Sequence, residues 1–121
     1  AARLLNESLQ SLGDNRYQQR AVRLGADLAE LLSHTSVAYA AHVTSPANHG
    51  CERSICNPQQ FVEHSLQMWH ARATQLLPGG RGSVELQTAG DQTIAHITLL
   101  WTPRGAQSVR HHTQAALLPD A

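Results

Sequence analysis

The sequence predicts an α+β domain: a long N-terminal helix and a second, shorter helix packed on an antiparallel sheet of three or four strands. Two observations carry this. Up to Leu76-Leu77-Pro78-Gly79-Gly80-Arg81-Gly82 the apolar residues recur at helical spacing, and beyond it they alternate as strands do. At 121 residues the chain is one domain, large enough to hold a hydrophobic core without metal or dense disulfides.

The first helix is expected over about 3–35. Its second half carries Tyr17, Ala21, Leu24, Leu28 and Leu31 at four-three steps, with Val22, Ala29 and Leu32 widening the stripe. Arg16, Arg20, Arg23, Asp27 and Glu30 repeat on another face, a solvated and charged side. In the first half Leu5, Leu9 and Leu12 also step by four and three. At 100° per residue their stripe lies roughly 135° from the later one, near the charged side. Either the helix is kinked at Gly13-Asp14, which restores one phase, or its two halves meet different partners. On the second reading Leu5, Leu9 and Leu12 form a subunit interface, while Leu24, Leu28 and Leu31 belong to the core.

Residues 36–57 show little periodicity and hold the only cysteines, Cys51 and Cys56. An isolated pair in a loop reads as a local disulfide in an oxidising compartment, worth about 2 kcal/mol in the chain-entropy model. A metal site using His49, Cys51 and Cys56, or two free thiols, are the alternatives. The metal reading lacks a second Cys/His pair at finger-like spacing.

Asn57-Pro58-Gln59-Gln60 is a helix start, with Asn as N-cap, Pro at the first position and Gln at the third. The second helix, 58–77, buries Val62, Leu66, Trp69, Ala73 and Leu76 on one narrow face before Pro78-Gly79-Gly80 stops it. The sheet is expected over 83–117: a short strand at Val84 and Leu86, a turn at Gly90-Asp91, and a longer strand over about 93–102. In that strand Ala95, Ile97, Leu99 and Trp101 share one face, and Ile94, His96, Thr98 and Leu100 the other. Val109, His111, Thr113, Ala115 and Leu117 line one face of a third strand.

Formal charge is zero and only five residues are aromatic, so composition gives no footprint for nucleic acid or an anionic membrane. No apolar run approaches the ~20 residues that span a bilayer. The chain begins at Ala1 and enters an amphipathic pattern at once, which reads as a processed or truncated N-terminus. Eight histidines form no HExxH pattern; His64 and His70 do not share a helix face, and His111 and His112 point to opposite faces of a strand. No G-x-S-x-G or similar nucleophile setting occurs. Gly79-Gly80-Arg81-Gly82 follows a helix and precedes a strand, the reverse of a phosphate loop, so it is read as a turn. Trp69 and Trp101 fall on apolar faces and are assigned to the core. No catalytic residue, cofactor or metal is assigned.

Taken in order, four features resemble the soluble portion of a type IV pilin-like protein, most closely a PilV-type minor pilin. They are the helix with Asn15-Arg16 and the run from Ala21 to Leu32, the cysteine-bearing loop, the Trp69 helix closing on residues 77–82, and the strand Ile97-Thr98-Leu99-Leu100-Trp101. Family members have a cleaved leader and a hydrophobic N-terminal helical half with a glutamate near its start, neither of which is in this sequence. The resemblance implies a subunit and not an enzyme. It would be held in the inner membrane by that N-terminal segment, with a periplasmic domain that passes into the extracellular pilus. Its partners would be other minor pilins, the major pilin and a tip adhesin. It would initiate assembly and sit at the pilus tip, in support of adhesion and twitching motility. A minor pseudopilin of a type II secretion system shares that architecture, and a periplasmic metal-binding module using the Cys51 loop is a reading of another class.

Overall fold

A computed structural model describes residues 2–37 and 57–119, with side chains described from Asn15 onward. Two helices lie on one face of a three-stranded sheet. Helix α1 spans Ala2–Ser33 and helix α2 Pro58–Leu76; strands β1 (Arg81–Ala89), β2 (Gln92–Trp101) and β3 (Arg110–Leu118) form an antiparallel meander in the order β1-β2-β3. The α+β expectation holds at this level, with three strands among the described residues.

Helix α1 runs unbroken through Gly13. It ends two residues earlier than expected because its last carbonyls are taken locally: the amides of His34 and Thr35 donate to the Leu31 and Leu32 carbonyls. The Thr35 hydroxyl also donates to Leu31, at 2.7 Å. Ala21, Leu24, Leu28 and Leu32 are buried, with Tyr17, Ala29 and Leu31 packed beside them. Leu31 is therefore half-buried, because it borders the groove between the helices and does not face the sheet. Val22 does not widen the stripe: it sits on the far flank of α1 and is 42% exposed.

Helix α2 starts as its sequence dictates. The Asn57 side chain accepts from the Gln60 amide at 2.8 Å, and the Gln60 side chain accepts from the Asn57 amide at 3.1 Å, a complete capping box. Its end differs from the expectation by one residue, with a consequence for the core. The helix stops at Leu76, which is 39% exposed, while Leu77 turns to an extended conformation and buries itself. Leaving the helix redirects the side chain, so Leu77 and not Leu76 completes the Val62, Leu66, Trp69, Ala73 face.

The sheet reaches beyond its expected limits, from Arg81 to Leu118: backbone pairing with β2 begins before Val84, and Leu118 adds one more buried residue opposite Thr93. In β2 the alternation is as expected, with Ala95, Ile97, Leu99 and Trp101 buried against the helices. In β3 the register places Ala116 opposite Ala95 and Leu118 opposite Thr93, so the even-numbered residues face the helices. His111, Thr113, Ala115 and Leu117 do share a face, but it is the outer one, and Leu117 is 53% exposed.

Candidate functional site

The two helices run in opposite directions. The Trp69 indole N–H donates to the Leu24 carbonyl at 2.8 Å, and the Arg20 guanidinium donates to the Leu76 carbonyl at 3.0 Å. Leu28 and Leu31 share a groove of about 260 Å³ with His64 and Met68. Helix α2 thus ends beside Arg20, and α1 crosses β3 at Gly25, against His112 and Gln114. N-terminal to Tyr17, α1 continues for 15 residues past the end of α2, a length of about 22 Å at 1.5 Å per residue. The place where α1 passes beyond the end of α2 is the candidate site.

Several sequence features converge there. Arg20 lies over the Tyr17 ring, 5.6 Å from its centroid, and takes up the last carbonyl of α2, where a cation is favoured. A polar cleft of about 300 Å³ lies between Tyr17 and Arg20 on one side and Thr74, Gly79 and Arg104 on the other. Its wall is the glycine junction. Gly82 lies directly beneath the six-membered ring of Trp69, in space that a Cβ would fill, and a Cβ on Gly80 would meet the Ala73 carbonyl and Leu77. The Pro78 carbonyl then accepts from the Thr102 amide at 2.9 Å, which ties the junction to the end of β2. These contacts make the glycines a structural junction: the turn expected over 79–82 ends at Gly80, and Arg81 and Gly82 already belong to β1.

Of the residues singled out in the sequence, Leu24, Leu28, Trp69 and Trp101 are buried, and Leu31 lines the groove. Trp101 is 1% exposed, yet among the described residues its indole nitrogen has no hydrogen-bond partner, in contrast to Trp69. Leu5, Leu9 and Leu12 lie on the α1 backbone, but their side chains, like Cys51 and Cys56, are outside the described residues. His111 and His112 occupy opposite faces of β3. Burial lowers the pKa of His70, whose ring meets Trp69 edge-on at 5.2 Å. Among the described residues no three His, Cys, Asp or Glu side chains gather to hold a metal, and no helix is long and apolar enough to cross a membrane. Arg104 and the C-terminal turn of α2 had no signal in the sequence, since only the fold brings them to Arg20.

The chain matches no protein-family model, no curated protein and no solved structure.

Proposed function

We propose that this chain is the globular domain of a pilin-like subunit, a minor pilin that helps initiate a type IV pilus and sits at its tip. One observation carries the reading. Helix α1 is continuous, so nothing interrupts the phase between its two apolar stripes. Ala21, Leu24, Leu28 and Leu32 are used up by the domain's own core. Leu5, Leu9 and Leu12 stand roughly 135° around the same helix, on the stretch that runs past the end of α2. A helix that serves one core keeps one stripe. A helix that also serves a neighbouring subunit needs a second, displaced one. The layout of one long helix laid on an antiparallel meander, with the Trp69 helix and the glycine junction between them, agrees with the family resemblance.

The test is the triple substitution Leu5→Gln, Leu9→Gln and Leu12→Gln in the full-length protein. If the stripe serves a neighbouring subunit and not the fold, the unfolding midpoint of the domain should be unchanged while piliation falls. Normal piliation in the triple variant refutes the interface. Lost exoprotein secretion with intact pili, in a strain deleted for the protein, assigns it to a secretion system instead.

A further inference from the structure

The groove between the two helices is apolar and yet open to solvent. Leu28, Leu31 and Trp69 line it together with Met68, which is 42% exposed. Phe61, 53% exposed, stands two turns before Met68 on the same side of α2. Seven residues of helix separate these two, about 10 Å. The same seven residues separate Leu5 from Leu12 on α1, with Leu9 between them. At 100° per residue Arg3, Glu7 and Asp14 fall together, roughly 170° from that leucine stripe. The N-terminal half of α1 is therefore amphipathic in its own right, with its charges opposite its leucines. Along an unbroken helix Leu9 is 19 residues from Leu28, about 28 Å, so the stripe of one molecule cannot fold back into its own groove.

We propose that the groove receives the Leu5, Leu9, Leu12 stripe of a second copy of this chain. This rests on the reading of those leucines as an interface and adds the surface they meet. An amphipathic helix laid between two helices buries its apolar side on their facing residues and leaves its charges in water. The lengths match, and so do the charges. With the stripe running in the direction of α2, Leu5 comes over Phe61 and Leu12 over Met68. Arg16, exposed one turn beyond Leu12 on the same line, then arrives at the end of the groove that holds Asp27. Asp27 stands exposed on the α1 wall, and Arg72 on the α2 wall. The incoming arginine pairs with the first of these. Stripe and groove are different surfaces of one chain, so each contact needs one intact stripe and one intact groove.

The experiment is sedimentation velocity of the 121-residue protein over a wide concentration range, where association should grow with concentration. Phe61→Gln with Met68→Gln should weaken association about tenfold or more, and so should the leucine triple variant. Both α2 side chains are exposed, so the fold should survive their replacement. Mixing the two variants is the sharper measurement. One brings an intact stripe and the other an intact groove, so the mixture should form a mixed dimer more tightly than either variant associates with itself. Asp27→Arg should weaken association of the otherwise unchanged chain, and adding Arg16→Asp to it should restore what was lost. Leu117→Gln, on the outer face of the sheet, should leave association unchanged. A parent chain that stays monomeric, a mixture that fails to associate, or a loss caused by Leu117→Gln overturns the proposal. Piliation separates the two readings. Loss in the leucine triple variant with full piliation in the α2 double variant removes the groove and keeps the interface. Normal piliation in both, with association in solution as described, removes the pilus role and keeps the groove.

Discussion

Replacing each tryptophan by phenylalanine, one at a time, asks the structure to distinguish two buried indoles that composition treats alike. Both are nearly inaccessible, Trp69 at 4% and Trp101 at 1%. Both substitutions remove a pyrrole ring's worth of packing, so the transfer and cavity losses are similar, at about 1–2 kcal/mol each. The polar atoms differ. Trp69 donates to the Leu24 carbonyl at 2.8 Å, and losing that bond adds about 1 kcal/mol. Trp101 has a buried N–H with no partner among the described residues, and removing it recovers a desolvation penalty of about 1 kcal/mol or more. Trp69→Phe should therefore destabilise the domain by about 2–3 kcal/mol, and Trp101→Phe by about 1 kcal/mol or less. Urea unfolding followed by far-ultraviolet circular dichroism measures both, and a midpoint change at constant slope gives the difference directly. In a domain of this size a gap of about 2 kcal/mol corresponds to roughly 6–10 °C in Tm. If Trp101→Phe costs as much as Trp69→Phe, the assignment of satisfied and unsatisfied indoles is wrong.

Gly82→Val should destabilise by about 1–3 kcal/mol through overpacking, because the new side chain occupies the space of the Trp69 ring; circular dichroism melts should show a lower Tm for Gly82→Val and little change for Ser83→Val on the exposed face. Burial depresses the pKa of His70 in the folded state, so between that value and the unfolded value near 6.5 the unfolded chain binds more protons. Stability should be full above about pH 6.5 and should fall as pH drops through the folded pKa. His70→Gln should flatten that segment of the stability–pH curve, and an unchanged slope would remove His70 as its cause. The polar triple substitution in α1 tests whether the second apolar stripe serves a neighbouring subunit.

Local chemistry wrote much of this fold openly. Asn57-Pro58-Gln59-Gln60 specifies its own helix start, because a capping box needs only residues three apart. The alternation over β2 specifies which of its faces is buried, since period two is a property of the strand itself. The stripe Ala21, Leu24, Leu28 is likewise legible from spacing alone. What failed depended on partners. Leu76 fits the helical spacing, but the chain leaves the helix one residue later and Leu77 takes the core position. Which face of β3 is buried could not be read from its own residues, because a weakly apolar strand gets its orientation from the register with β2, and a shift of one residue inverts it.

The same division holds for the candidate surface. By itself the sequence determined that the first helix carries two apolar stripes out of phase, and that its charges sum to zero. Only the tertiary structure decided that one stripe is spent inside the domain, and that Arg16, Arg20, Arg81, Arg104 and Arg110 belong to one end of it. Stripes follow from the pitch of a single helix. A charged end is assembled from residues nearly a hundred positions apart, and no count along the chain records which of them become neighbours.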